Sequence, residues 1–329
     1  MELKTILSSI SEPTDSEVYH VKDVPDFKSY KIGRDNKGNI VFLIIPSSFL
    51  SKKSPLNYSL KNLTIEYGLE GTLLINKKQN QEKFICIKLK DNDENKNLKE
   101  IFFNVCSMLS EELGDKPNYE LVIKYLEGLK NLFSKLVKKS SKSEIGLWGE
   151  LFIIFNSITP TELIKSWHIN SKETFDFTFS NFKIEVKTTQ KNERIHDFSN
   201  NQLNKLIEYN GFITSIMTFI SENGVTIFDL IELINKRIEV NVRQSLIEKV
   251  MDVAGDKFDS FTTKYDLTYA KESSKLFEAK SSPSLNEFVI PSEISGVKFL
   301  LNFENQSEIK YSEDEIIDEM INTLGLSSH

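Results

Sequence analysis

A short stretch in mid-chain, Thr174–Thr189, constrains the fold more than any other part of the sequence. In Phe175, Phe177 and Phe179 the aromatics fall on alternate positions, so Asp176 and Thr178 point to the opposite face of a strand. In the following run Ile184 and Val186 form one face, and Lys183, Glu185 and Lys187 the other. With Ser180-Asn181 as a two-residue turn, Phe179 pairs with Phe182, Phe177 with Ile184, and Asp176 with Glu185. Two carboxylates directly opposite, with Cβ atoms roughly 5 Å apart, repel each other unless a cation neutralises them. The register decides the matter, because a three-residue turn would put Asp176 opposite Val186 instead. The plain structural alternative is a cross-strand salt bridge on a wet hairpin face. Glu-x-Lys alone has no specificity: it recurs at Glu2-Leu-Lys4, Glu278-Ala-Lys280 and Glu308-Ile-Lys310.

The bulk composition bounds the rest. At 329 residues the chain has room for two or three domains, and 39% apolar with 11% aromatic residues is the balance of a globular protein. No run approaches the roughly 18 apolar residues of a membrane span, and the N-terminus lacks a secretory h-region. Cys86 and Cys106 are far apart and read as buried thiols in a reducing cytoplasm. With four histidines, a His/Cys zinc site is disfavoured. The formal net charge of −7 argues against a basic coat for nucleic acid. It leaves room for a local groove, since lysines cluster between Lys124 and Lys142 and again at Lys183, Lys187, Lys191, Arg194 and Lys205. Both clusters also suit solvated faces.

Three regions follow from the pattern. Residues 1–138 read as a β-rich plus helical domain, with strands at 30–34, 40–45, 63–67 and 84–89 and helices at 98–113 and 119–137. Residues 139–222 form a compact unit. Ser141-Lys-Ser-Glu144 fits a capping box opening a helix through Phe155, and Thr159-Pro-Thr-Glu162 opens a shorter one. A short strand near 166–169, the hairpin, a helix opened by Ser199-Asn-Asn-Gln202 and stopped at Gly211, and a buried strand over 212–220 complete it. Residues 223–329 read as an α+β region with helices at 227–238, 242–253 and 313–324 and β-like segments at 264–270, 275–278 and 297–303. Asp266 and Glu278-Ala-Lys280 imitate the hairpin pattern, but no acidic helix precedes them and no helix follows.

Glu150 lies on the first helix of the middle unit among Trp148, Leu151 and Phe152, where a carboxylate has few reasons to be unless that face meets solvent. Gly146 and Gly149 each cost about 1 kcal/mol relative to alanine in a helix interior, which makes sense if the backbone lies close to a sheet or a substrate. The order of elements, with Gly146-Leu-Trp-Gly-Glu150-Leu-Phe, Phe175-Asp176-Phe, Ile184-Glu185-Val-Lys187-Thr and Arg194-Ile-His196, resembles the PD-(D/E)xK nuclease superfamily. The likeness is to members from bacterial restriction-type defence loci and covers about residues 141–220. Phenylalanine stands at 175, before the aspartate, where the superfamily pattern has proline.

The resemblance implies an α/β protein with a restriction-endonuclease-like αβββαβ core, a mixed sheet flanked by helices. It implies a Mg²⁺-dependent endonuclease, Mn²⁺ substituting, that hydrolyses phosphodiester bonds in DNA within a cytoplasmic restriction or anti-phage system. A hard cation neutralises phosphate charge and makes water nucleophilic near pH 7, and it needs few protein oxygens. Asp176 and Glu185 are the expected ligands, with the Val186 carbonyl as a third and Glu150 toward a second metal or its water. Lys187 would stabilise charge or act as general base. Lys183, Lys191, Arg194, His196, Gln202, Lys138 and Lys139 are the candidates to touch nucleic acid, beside free N–H groups at 200–202. The competing reading is a nuclease-like subunit with a residual metal site that binds or assembles within a defence complex. A homodimer and partner proteins are compatible with either reading.

Overall fold

The computed structural model describes residues 3–10, 18–49, 55–60, 62–91, 96–137, 139–168, 174–285 and 294–309. The expected helix at 313–324 lies outside them, as does Lys138. The chain is a mixed α/β protein divided into two compact units, Met1–Ser140 with Ala254–Ser260, and Ser141–Val253 with Phe261–His329. Among the described residues no helix is long and apolar enough to cross a membrane.

The first unit contains helix α1 (Leu3–Ser8), strands β1 (Val18–Val24), β2 (Phe27–Arg34), β3 (Ile40–Ile44), β4 (Tyr58–Ser59), β5 (Leu63–Ile75) and β6 (Lys78–Leu89), then helices α2 (Lys96–Leu113) and α3 (Tyr119–Ser134). The sheet runs β1-β2-β3-β6-β5-β4, and β1 also pairs parallel with β5 through Tyr19↔Leu73. That second pairing closes five strands into a barrel and removes their open edges. Val21, Val41, Leu43, Leu73, Phe84 and Cys86 fill part of the core. The sequence pattern misses β1, and it stops the β5 strand at Tyr67 because Gly68 follows. The structure absorbs Gly68 at a positive φ of 64° inside an irregularity between Glu66 and Leu69. The hairpin then turns at Asn76-Lys77, both at positive φ as a type I′ turn requires. Lysine at the second position hides the usual Asn-Gly signal.

In the second unit, helix α4 (Glu144–Asn156) is the central element. It is apolar nearly all round, which marks a helix buried on all sides: Leu147, Trp148, Leu151, Phe152 and Ile154 are covered. Its N-cap is Ser143, which accepts from the Gly146 N–H, whereas the sequence pattern assigns this role to Ser141. The Glu144 carboxylate does not close a capping box either, accepting instead from the N–H and hydroxyl of Thr263. Helix α5 (Pro160–Ser166) follows, then β7 (Phe177–Thr178), β8 (Lys183–Thr189), β9 (Ile195–Ser199), α6 (Asn200–Glu208), β10 (Phe212–Met217), β11 (Ile220–Val225), α7 (Ile227–Asn235), α8 (Val240–Ala254), α9 (Leu267–Ser273), β12 (Lys275–Glu278) and β13 (Lys298–Asn302).

The main sheet runs β12-β10-β8-β7, with β8 and β10 parallel and the other pairs antiparallel. The expected strand at 166–169 is a single antiparallel bridge, Trp167↔Phe177, beside β7. Three features depart from the sequence reading. Residues 195–199, read as a loop, form β9 and pair with β13. Of residues 264–270, read as β-like, 267–270 are helical and belong to α9, because the Asp266 side chain caps the Tyr269 N–H at 2.8 Å. The segment beyond residue 222 is not a separate region: β12 completes the main sheet and β13 supports β9, so both belong to the same unit.

Gly149 is where α4 meets the sheet. A Cβ there would lie 1.8 Å from the Thr188 hydroxyl and 3.0 Å from its Cβ. Replacing Gly149 by alanine raises helix propensity by about 1 kcal/mol, yet overpacking of this kind costs roughly 1–3 kcal/mol. We therefore expect Gly149→Ala to lower the urea midpoint, and Thr188→Ala in the same chain to recover much of the loss. A more stable single variant would show that α4 does not press on β8.

Candidate active site

The hairpin has the register that the alternation requires. Phe177 pairs with Ile184 and Thr178 with Lys183, and the Phe179 N–H donates to the Phe182 carbonyl at 3.1 Å across the Ser180-Asn181 turn. Asp176 stands one residue before β7. Its carboxylate accepts from the Val186 N–H at 2.7 Å, so it is fixed against the strand that carries Glu185. Its carbonyl accepts from the His168 N–H at 3.1 Å.

Glu150, Asp176 and Glu185 are only 1%, 3% and 4% exposed, a degree of burial that a carboxylate tolerates only with partners. Glu150 projects from α4 into the site. One of its oxygens accepts from the Trp167 indole N–H at 2.7 Å and lies 2.7 Å from His168 Nε2, which donates in this arrangement. Its other oxygen is held by the Lys142 ammonium, which also holds Asp176. Glu185 is paired with Lys187 at 2.9 Å and accepts from the Gln202 side-chain amide at 2.8 Å. The Lys187 ammonium also lies 4.6 Å over the Phe198 ring. Glu185 Oε2 is buried with no hydrogen-bond partner.

The electrostatics pull the three acids apart. Burial works to raise Glu150, but Lys142 and His168 win and hold it down at about 2. Burial, and then the Glu150 charge, push Asp176 above its ordinary value. Burial and the Asp176 charge push Glu185 up to about 7, against Lys187 and Lys142. Burial alone would lower Lys142, yet the charges of Asp176, Glu150 and Glu185 raise it, so it stays an ammonium.

A family model described as "Putative PD-(D/E)XK family member, (DUF4420)" matches residues 5–304. The chain belongs to this family. No curated protein and no solved structure matches it. The family points to a nuclease-like hydrolase, and nucleases of the PD-(D/E)XK kind usually use divalent metals. Asp176, Glu185 and Lys187 supply the residue types of an Asp…Glu-x-Lys pattern. Two observations on the side chains fit a cation. Glu150, His168 and Asp176 each offer a ligand atom, and these atoms lie within 4.8 Å of one another. The orphaned Glu185 oxygen is a buried acceptor without a hydrogen-bond donor.

Other expected residues lie elsewhere. Arg194 and His196 are buried, at 5% and 4% exposure. The Arg194 guanidinium donates to the Ser215 carbonyl at 2.8 Å and to the Ser273 carbonyl, and His196 Nε2 lies 2.7 Å from the Ser215 hydroxyl. Burial, and then Lys187, Arg194 and Lys191, lower His196 to about 3, so it is neutral. Both residues tie the start of β9 and the end of α9 to β10. The Asn200 and Gln202 N–H groups are likewise taken, by the Val297 carbonyl and the Ser199 hydroxyl. The Gln202 side chain holds Glu185 instead of meeting solvent. Lys183 is half-buried along the hairpin, its ammonium donating to the Phe179 carbonyl, while Lys139 and Lys191 are exposed.

Three partners escape the sequence reading: Lys142, Trp167 and His168. Lys142 looks like one more lysine of a solvated cluster. Its position beside the start of α4, where the helix dipole disfavours a cation, is the one signal that sets it apart.

The Glu185 environment gives a pH prediction. Its folded pKa lies above the ordinary 4.5, so its contribution to stability is fully present below about 4.5 and is lost as pH rises through about 7. Metal-free wild type should therefore lose on the order of 1–3 kcal/mol between pH 5 and pH 8 relative to Glu185→Gln, measured by urea unfolding in chelator. Parallel pH dependences of the two proteins would show that Glu185 is ionised at pH 5.

Proposed function

We propose that this protein is a Mg²⁺-dependent endonuclease acting on DNA in a bacterial restriction or anti-phage system, with Mn²⁺ able to replace Mg²⁺. The observation that carries the reading is the convergence of Asp176, Glu185 and Glu150, all buried, with an orphaned oxygen on Glu185. Asp176, Glu185 and the Val186 carbonyl would hold the cation, and Glu150 would lie toward a second one. When bound, such a cation neutralises phosphate charge and acidifies water.

The chain's own residues do the rest. Lys187, a fifth exposed beside Glu185, would meet the phosphate or the attacking water. Because it is already paired with Glu185, we assign it charge stabilisation and not proton abstraction. Gln202 fixes the Glu185 rotamer from α6 by its 2.8 Å bond. The Trp167 indole and His168 orient Glu150 in the same way. Exposed lysines such as Lys191 and Lys139 would supply backbone contacts to DNA, with an affinity that falls as salt rises.

The test compares wild type, Asp176→Asn and Lys187→Ala by Mn²⁺ calorimetry and by nicking of supercoiled plasmid. Asp176→Asn should lose both metal binding and cleavage, because an amide is a poor Mg²⁺ ligand. Lys187→Ala should lose cleavage by a hundredfold or more while keeping its metal. Retention of DNA binding by both variants completes the expectation. Equal cleavage by all three proteins would sink the assignment of the site. DNA binding by a wild type that neither cleaves nor takes up metal would favour an assembly subunit of a defence complex.

A further inference from the structure

We propose that Lys142 is a tethered cation that holds the position between Glu150 and Asp176 in the metal-free protein, and that a divalent ion drawing on these acids binds by exchanging with it. This rests on the metal-dependent reading of the same site and adds a step to it.

Each oxygen of Glu150 and Asp176 has an identifiable partner. Glu150 Oε2 is occupied by the Trp167 indole N–H and by His168. Asp176 Oδ2 is occupied by the Val186 N–H. Two of these three donors, the indole and the backbone amide, belong to residues that are themselves buried, Trp167 and Val186. The remaining oxygens, Glu150 Oε1 and Asp176 Oδ1, come from different elements of the unit and are bridged by a single ammonium, that of Lys142. A cation drawing on both acids therefore meets Lys142 on both, since Mg²⁺ and Mn²⁺ need oxygen lone pairs. Two like charges cannot share that space.

Lys142 is also built to leave. It lies just before the Ser143 N-cap, outside the helical hydrogen bonds of α4, so its side chain can move without unwinding the helix. Its side chain is 25% exposed, against 1% for Glu150 and 4% for Asp176, so part of it reaches solvent while its ammonium is held by both acids. Lys187 does not play this part, because it is paired to Glu185 and Gln202. Lys142 thus stabilises the buried acids before metal arrives and weakens the apparent metal affinity by competition. Once exchanged, its ammonium is displaced toward solvent, where an anionic phosphodiester would approach.

Two measurements test this. In the wild type, acylation of individual lysines is followed by mass spectrometry with and without saturating Mn²⁺. Lys142 should react several-fold faster with Mn²⁺, while exposed Lys236 should not change. By calorimetry, Lys142→Met should bind Mn²⁺ about tenfold more tightly than wild type, and its metal-free melting temperature should fall. If Mn²⁺ binds the wild type but Lys142 labelling does not rise, the exchange is wrong and the metal site stands. Unchanged or weaker Mn²⁺ affinity in a folded Lys142→Met would equally overturn the exchange. If neither protein binds Mn²⁺, the metal reading fails and the exchange fails with it.

Discussion

Everything around the site answers to the burial of three carboxylates within one small volume. An ionised acid moved out of water without a partner costs several kcal/mol, so the fold must supply positive charge and donors where it buries Glu150, Asp176 and Glu185. It does so unevenly. Glu150 is saturated by Trp167, His168 and Lys142 and stays fully ionised, whereas Glu185 keeps an empty oxygen and a raised pKa. A purely structural network would gain from satisfying both acids, since each unmet buried acceptor weakens the folded state. The imbalance is what a site for an added cation requires.

The surrounding elements are placed by that requirement. The Ser180-Asn181 turn sets the hairpin register, which brings Asp176 to the Val186 N–H. Gly149 lets α4 lie against Thr188, and that contact brings the next residue, Glu150, to the sheet edge. Ser199 caps α6 and so directs Gln202 onto Glu185. Arg194 and His196 act one step further out. By bonding Ser215 on β10 and Ser273 at the end of α9, they brace the parallel partner of β8. In sequence they read as candidates to touch nucleic acid; in the fold their polar groups bond buried backbone and hydroxyl groups.

What can be read from the sequence is what depends on short-range periodicity. Alternation in Phe175–Phe179 and Lys183–Lys187 contains the hairpin and its register, and the spacing from Glu150 onward contains the order of elements. Pairings between distant segments are not legible. The β9 strand is held by β13, about a hundred residues away, and β1 by β5, and neither leaves a local mark that separates it from a loop. Residues 264–270 mislead because an alternating look outweighs a single capping aspartate. Lys142 is hidden for a related reason. A lysine in a run of lysines and serines reads as solvated, and only the fold reveals two buried acids on either side of it.

The formal charges of the site carry the argument one step further. Counting the carboxylates and lysines alone, three ionised carboxylates face two lysines, Lys142 and Lys187, which leaves an excess of one negative charge. A divalent ion added beside both lysines would reverse that sign and gather three cationic groups around a few oxygens, a costly arrangement at low dielectric. An ion that displaces Lys142 leaves the buried set neutral and moves one positive charge to the mouth. A phosphodiester, carrying one negative charge, is then matched by that lysine at the mouth. The acidic net charge of the whole chain is therefore no obstacle at the site. At the site itself, attraction for a phosphodiester would be added locally to that of the exposed lysines once the metal has entered.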